Sequence, residues 1–126
     1  MSTKSHRDLV VWQKAMALVT ECYRVTNRFP DRERFGLSSQ LQRAAVSVPA
    51  NIAEGNGRRS RGAYVNHLSI AYRSLAEVET HILIGVNLGY VRESDVKEVL
   101  GQLEEVRRMA AGLIRSLNPE SKAPDH

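Results

Sequence analysis

The stretch Leu37–Ile52, LSSQLQRAAVSVPANI, places apolar residues at steps of three or four, a spacing that indicates one buried face of a helix. Three further stretches show the same period, and none shows the alternation of a strand pair. The sequence therefore predicts an all-α fold, an antiparallel up-down-up-down four-helix bundle. Each predicted helix has one stripe of apolar residues. The stripe of the first helix is Leu9, Trp12, Met16, Val19, Tyr23 and Thr26, and that of the second is Leu37, Leu41, Ala44, Val48 and Ile52. The stripe of the third is Tyr64, Leu68, Ala71, Leu75, Val78, Ile82 and Gly85, and that of the fourth is Val96, Val99, Leu103, Val106, Ala110, Leu113 and Leu117.

The helix ends can also be predicted from local sequence. Asp8 is expected to open the first helix, Ser39 with Gln42 to form a capping box for the second, and Ser60 to cap the third. The fourth is expected to start after Ser94. Pro49 lies inside the second stripe, where a proline removes one backbone hydrogen bond, so a kink or a split is expected there.

The third helix has apolar residues beyond its main stripe, and a helix that is apolar on more than one face is covered by more than one neighbour. Either this is the central helix of the bundle, or its spare face packs against another copy of the chain. The residues concerned are Val65, Tyr72, Ala76, Leu83, Val86 and Leu88.

Length and composition are those of one globular domain. The 126 residues suit a single core, so residues 1–126 are predicted to form one domain with an ordered part of about 6–118. Neither a membrane span nor a secretory signal is evident, and Cys22 is the single cysteine. These features predict a cytoplasmic protein, in which the thiol is buried or half-buried and unreactive.

Charge is the main functional signal. The formal net charge of +4 is unevenly distributed along the chain. The first half has an excess of cations, and the second half has a slight excess of anions. The turn Arg58-Arg59-Ser60-Arg61 brings three guanidinium groups next to a helix N-terminus, which attracts anions. Arg58, Arg59 and Arg61 are therefore candidate nucleic-acid-binding residues. The alternative is that they solvate a loop or cap carbonyl groups of a neighbour.

Other basic or polar clusters favour structural explanations. Arg28, Arg32 and Arg34 are diluted by acidic neighbours, so solvation is the better interpretation, and Arg107-Arg108 should pair with Glu104 and Glu105. Gly55 and Gly57 are predicted to end the second helix in a left-handed conformation. Asn51 and Glu54 are predicted to satisfy the backbone group that Pro49 leaves unpaired. Together these five residues, Pro49, Asn51, Glu54, Gly55 and Gly57, form the predicted structural motif.

Patterns that would indicate an enzyme are missing from the sequence. No Glu-x-x-His pair of a di-metal bundle, no phosphate-binding loop with lysine and no nucleophile with an adjacent base can be identified. Glu77 and His81 are four residues apart but lack a third ligand. We therefore expect no catalytic residues, no metal and no cofactor. The alternatives to nucleic-acid binding are a scaffold for an acidic protein partner and a bundle that holds a metal or small ligand.

The string Gln40–Gly55 followed by Gly57-Arg58 and Ser60 resembles the four-helix bundle proteins of the 23S rRNA intervening-sequence family. Leu9–Ala15 and Ala71–Thr80 also match the pattern, and the likeness covers roughly residues 6–118. One departure is Arg73, where the family commonly has glycine, which puts close helix approach at that position in doubt.

The resemblance implies a small bundle that assembles as a ring-like homopentamer with a basic surface. It implies RNA or DNA, or a nucleic-acid enzyme such as the reverse transcriptase of diversity-generating retroelements, as partner. It implies no established enzymatic activity. By this likeness the chain is expected to be a homo-oligomeric nucleic-acid-binding or accessory protein.

Overall fold

The computed structural model describes residues 5–117, and these residues are helical with short connections. Helices α1 (Val10–Thr26), α2 (Leu37–Asn56), α3 (Arg61–Asn87) and α4 (Glu93–Leu117) are preceded or joined by two short 3₁₀ turns, His6–Asp8 and Asp31–Glu33. No strand occurs between residues 5 and 117. The predicted all-α, four-helix fold is confirmed. The polar tail predicted after residue 118 lies outside the described residues.

Contacts between helices show how neighbours run. Along the α2/α3 pair, Asn51 meets His67 and Ser47 meets Ser74, so rising numbers on one helix face falling numbers on the other. Ion pairs from Lys14 to Glu105 and from Arg28 to Asp95 show the same relation for α1 and α4. Each helix contacts the next, and α4 contacts α1, so the helices surround one core. The turn between α2 and α3 therefore lies at the end of the bundle opposite the α1–α2 and α3–α4 connections.

The core is built from the predicted stripes of α2, α3 and α4, whereas the predicted stripe of α1 lies mostly at its edge: Thr26 is buried, and Leu9, Trp12 and Val19 are partly buried against the core. Met16 and Tyr23 are exposed, and the buried face of α1 lies one residue earlier along the chain. Apolar residues occupy both faces of α1. The buried residues Val11, Ala15 and Cys22 are each smaller than the next residue along the chain, which lets the neighbouring helices approach closely. This buried face consists of Val11, Ala15, Leu18, Cys22 and Val25.

Two of the predicted helix starts are wrong. Asp8 lies in the first 3₁₀ turn, and α1 begins at Val10 without a side-chain cap. Helix α2 begins at Leu37, whose N–H donates to Glu33 Oε1 at 2.9 Å. Glu33, and not the predicted capping box, thus satisfies the first N–H group of the helix. Ser39 lies inside the helix, and Gln42 instead donates to Thr26 Oγ1 at 2.9 Å. Helix α4 begins at Glu93, slightly before the expected start.

Pro49 lies within α2, which continues unbroken from Leu37 to Asn56. The predicted split is therefore wrong, whereas the kink stays a prediction. A proline is tolerated inside this helix because its ring is buried against the core, which offsets the missing hydrogen bond.

Part of the spare apolar face of α3 is not covered by the other residues that the structure describes. Tyr72, Leu83, Ile84 and Leu88 are between 37% and 55% exposed. Helix α3 contacts α2 and α4 and is thus one side of the bundle rather than its centre, and packing of this face against a second copy stays a prediction.

Candidate nucleic-acid interface

The turn that joins α2 to α3 is short and tightly fixed. Helix α2 ends at Asn56, Gly57 caps it, and Ser60 Oγ accepts the N–H of Ala63 at 3.0 Å. This hydrogen bond confirms Ser60 as the N-cap of α3, so that α3 begins at Arg61. The arginines of the turn therefore lie beside a helix N-terminus whose cap is formed by Ser60.

The two glycines before the turn have a different role from the one predicted. Gly57 has φ −84°, which is right-handed, and Gly55 is buried within α2. A Cβ at position 55 would lie 2.8 Å from the Cβ of His67 and 3.2 Å from the carbonyl oxygen of Tyr64. Gly55 is needed because α2 and α3 approach so closely. Among the described glycines, a positive φ occurs at Gly89, in the connection from α3 to α4.

The three candidate arginines are all exposed but differ in their partners. Arg58 Nη2 lies 2.7 Å from Glu54 Oε2 in an exposed ion pair. Within residues 5–117, Arg59 and Arg61 form no ion pair with a carboxylate. Arg59 and Arg61 are thus directly available to an anion, whereas Arg58 would have to leave or share Glu54.

The helix directions bring two more arginines to this end of the bundle. Arg7 lies just before α1, and Arg115 lies in the last turn of α4. The carboxylates described at this end are those of Asp8 and Glu54, so cations are in excess. We call this region, Arg7, Arg58, Arg59, Arg61 and Arg115, the basic end.

A hydrogen-bonded seam between α2 and α3 leads up to the basic end. Ser47 Oγ lies 2.9 Å from Ser74 Oγ, and Asn51 Nδ2 donates to the carbonyl oxygen of Ser47 at 2.9 Å. Asn51 Oδ1 lies 3.0 Å from His67 Nδ1. Buried polar groups that are paired in this way fix one register between two helices.

This seam corrects the role predicted for Asn51 and Glu54. The carbonyl that Pro49 leaves without its helical partner is that of Ala45, four residues earlier. Asn51 binds Ser47 instead, and Glu54 binds Arg58. Asn51 thus connects α2 to α3 through His67, and Glu54 connects α2 to the turn through Arg58. Neither satisfies the backbone group that Pro49 leaves unpaired.

The second basic cluster lies at the opposite end, and each of its arginines has a partner. Arg28 pairs with Asp95 at 3.5 Å, and the guanidinium groups of Arg32 and Arg34 lie over the rings of Tyr90 and Phe35, at 5.7 and 5.5 Å from the ring centroids. Residues 27–37 and 88–98, which form this end, carry five cations and five carboxylates. We call it the neutral end.

Glu33 is a structural residue that the sequence did not reveal. Its Oε2 accepts a hydrogen bond from Tyr90 Oη at 2.7 Å, besides the bond from the N–H of Leu37. These two hydrogen bonds, the one from Leu37 first, lower the pKa of the Glu33 carboxyl, and the bond to Glu33 raises the pKa of Tyr90. The two residues are 57 positions apart, so no local pattern could have paired them.

Other predicted side chains are found as follows. Arg107 and Arg108 pair with Glu104, which confirms the local pairing predicted for α4, although Glu105 pairs with Lys14. Arg73 is exposed, so the residue that departs from the family pattern does not separate two helices within this chain.

Glu77 and His81 line a shallow cavity of about 410 Å³ between α2 and α3. The Nδ1 atom of His81 is buried and has no hydrogen-bond partner within the described part of the chain. No group of three or more metal-ligating side chains is present in residues 5–117.

The thiol of Cys22 is buried in the core, as predicted. Burial, and secondly the negative charge of Glu21, raise its pKa to about 12. Within the described residues, no helix combines the length and the apolar character needed to cross a bilayer.

Comparisons with known proteins agree with the fold. The sequence model of the family described as 23S rRNA-intervening sequence protein matches residues 7–112. A crystal structure of a protein of unknown function from the S23 ribosomal protein family of Bacteroides thetaiotaomicron is similar, with 22% identity and a TM-score of 0.76. The match covers 84% of this chain and 99% of that one. No curated protein matches the sequence.

Proposed function

We propose, from the premise that this chain belongs to the 23S rRNA-intervening sequence protein family, that it is a homo-oligomer that binds nucleic acid through its basic end. The observation that carries this proposal is the exposed pair Arg59 and Arg61, which project beside the N-terminus of α3 without carboxylate partners among the described residues. Guanidinium groups recognise phosphate by two parallel hydrogen bonds, and the helix N-terminus adds a favourable field.

The distribution of charge supports nucleic acid over a compact anion. Arginines come from before α1, from the α2–α3 turn and from the end of α4, so they spread over the whole end of the bundle. A surface of this kind suits a phosphate backbone, which presents charge after charge along its length. Contacts from guanidinium groups to phosphate position the backbone and do not by themselves read bases.

Oligomerisation would strengthen the weak binding that one copy of the basic end provides. Several copies held together present their basic ends to one polymer, and the second contact is then intramolecular, which raises the avidity. The proposed state is a pentamer, by the family resemblance, and the proposed partners are RNA or DNA and a nucleic-acid enzyme such as a reverse transcriptase. We propose an accessory rather than a catalytic role.

Binding at several salt concentrations tests the proposal. Arg58→Ala, Arg59→Ala and Arg61→Ala are combined, and retention of a labelled single-stranded RNA and of duplex DNA is measured from low to moderate ionic strength. We expect the wild-type affinity to fall steeply with salt, and the triple variant to lose affinity and to show a shallower salt dependence.

A matched control removes the same charge from the neutral end, where surface ion pairs contribute little to stability. It combines Arg28→Ala and Arg92→Ala with Arg24→Ala, which lies next to that end in the last turn of α1. Equal losses in the two triple variants would show that only net charge matters and that the basic end is not the site. If the wild-type protein retains neither RNA nor DNA at low salt, the scaffold for an acidic protein partner becomes the better function.

A further inference from the structure

The cavity between α2 and α3 is lined almost entirely by polar side chains. Its volume of about 410 Å³ falls within the range of small-molecule sites in proteins. Its polar lining residues are Gln40, Arg43 and Ser47 from α2 and Ser74, Glu77 and His81 from α3. We call it the α2/α3 cavity.

The two charged side chains of this cavity come from opposite helices. Arg43 and Glu77 are both exposed, and within residues 5–117 neither forms an ion pair. The guanidinium on α2 is therefore available to an anionic group, and the carboxylate on α3 is available to an N–H donor. A ligand that matches both side chains carries an anionic group and an amino group.

A pair of serine hydroxyls adds a hydrogen-bond donor to the cavity. Ser74 is buried, its Oγ lies 2.9 Å from Ser47 Oγ, and Ser47 Oγ accepts a hydrogen bond from Asn51 Nδ2 at 3.1 Å. The two hydroxyls hold two protons, and the bond between them uses one. The other proton has no acceptor among the described residues, so it remains for an acceptor atom of a ligand.

The cavity is continuous with the seam that leads to the basic end. Ser47 and Ser74 belong to both, and the next hydrogen-bonded pair toward the basic end is Asn51 with His67. Arg43 lies about 20 Å along the helix axis from the last residue of α2, at about 1.5 Å per residue. A flexible polymer held at the basic end can therefore follow the seam into the cavity.

We propose that the α2/α3 cavity binds one unpaired nucleotide of the strand whose backbone the basic end holds. Arg43 contacts its phosphate, Glu77 accepts a hydrogen bond from an exocyclic amino group of its base, and the free serine hydroxyl donates to an acceptor on the base edge. The inference rests on the proposed function and names its substrate class, a single strand with cytosine or adenine at this position.

The donor and acceptor pattern of the cavity selects these bases. A carboxylate accepts well from the amino group of cytosine, and the neighbouring ring nitrogen accepts from a hydroxyl. Adenine offers the same adjacent pair. Uracil has a ring N–H between two carbonyl oxygens, which a carboxylate repels. In a duplex these amino groups are already paired, so the cavity takes an unstacked base, and His81 supplies a ring of a kind on which such bases stack.

The test compares retention of single-stranded oligocytidine and oligouridine RNA of equal length at low salt. We expect the wild-type protein to bind oligocytidine about fivefold more tightly, which is at the low end of what one base contact provides. Glu77→Ala should bring the two affinities together, because the acceptor for the amino group is removed. Circular dichroism confirms that each variant is folded.

Arg43→Ala tests the phosphate contact separately. It should weaken both strands alike and make the slope of log affinity against log salt shallower by about 0.7, the contribution of one phosphate in a single strand. The matched controls lie on α4, which contacts α1 and α3, whereas α2 packs against those same two helices from the other side of the core. Arg108→Ala and Glu98→Ala remove one exposed charge each there and should keep the preference for cytidine.

The outcomes separate this inference from the proposed function. Equal retention of the two strands by the wild type, or a cytidine preference that survives in Glu77→Ala, would overturn the inference alone if the Arg58, Arg59 and Arg61 triple variant still loses affinity. If the triple variant binds like the wild type while the preference depends on Glu77, the basic end fails as the site and the cavity stands. A wild-type protein that retains neither strand at low salt would overturn both.

Discussion

Gly55 of α2 lies directly against His67 of α3, so that a Cβ at position 55 would come within 2.8 Å of the His67 Cβ. The Tyr64 side chain and carbonyl, at 3.0 and 3.2 Å from the same point, close the remaining space. The hydrogen bond between Asn51 and His67 holds the two helices together one turn away. The α2–α3 turn and its arginines thus depend on a contact that only glycine permits.

Gly55→Ala should lower the free energy of unfolding by about 1–3 kcal/mol, because the added methyl group forces the helices apart in a packed region. The intrinsic preference of alanine for a helix, about 1 kcal/mol over glycine, offsets only part of this cost. Gly101→Ala is the matched control, since a Cβ at position 101 of α4 meets nothing within 4 Å. We expect it to stabilise the protein. Urea unfolding of both variants measures the difference, and equal effects would contradict the close contact.

Features whose physical cause lies within a few residues can be predicted from this sequence, whereas contacts between residues far apart in the chain cannot. The stripes of α2, α3 and α4 and the Ser60 cap were predicted because each is a local pattern whose physical cause lies within a few residues. The buried face of α1 was not, since two adjacent apolar stripes compete there and packing size decides between Ala15 and Met16. Glu33 was missed because its partner Tyr90 is distant in sequence. Periodicity places residues on a face but does not reveal which glycine a neighbouring helix requires.

Glu33→Gln should weaken the neutral end and change how stability depends on pH. The pKa of Glu33 is lowered from its ordinary value of 4.5 in the folded protein, so between these two values the unfolded chain binds more protons. The stabilisation is therefore present above pH 4.5 and is lost as the pH falls through the folded-state pKa. Urea midpoints at neutral and acid pH measure this, and we expect a smaller decline for Glu33→Gln than for wild type.

Tyr90→Phe is the companion variant for this pair. It removes the hydroxyl that donates to Glu33 Oε2 while keeping the ring that packs on Phe29 at 5.5 Å between centroids. It should reduce the acid-sensitive part of the stability only in part, because the N–H of Leu37 still binds the Glu33 carboxylate. A decline identical to that of wild type would show that the hydroxyl bond does not stabilise the carboxylate.

Cys22 should be inert in the folded protein. A shift of the thiol pKa from 9.0 to about 12 lowers the thiolate fraction at pH 8 about a thousandfold, and burial also blocks access. Labelling with a thiol reagent should therefore be slow in buffer and fast in denaturant. Ala17→Cys in a Cys22→Ser background supplies an exposed thiol on the same helix as control. Rapid labelling of the folded wild-type protein would contradict the buried placement.

Glu54→Gln should strengthen nucleic-acid binding if the basic end is the site, because Glu54 holds Arg58 at 2.7 Å and subtracts one charge from the turn. An exposed ion pair of this kind is worth about 0.2–1 kcal/mol, which corresponds to a gain in affinity of up to about fivefold at low salt. Glu98→Gln removes the same charge at the neutral end and should have a smaller effect.

Combining Glu54→Gln with Arg58→Ala separates the two contributions of Glu54. If the carboxylate acts by occupying Arg58, the gain should largely disappear in the double variant relative to Arg58→Ala alone. If it acts through its charge on Arg59 and Arg61, the gain should persist. A Glu54→Gln protein that binds single-stranded RNA no better than wild type at low salt would show that neither contribution limits binding, and would place the phosphate contacts away from the α2–α3 turn.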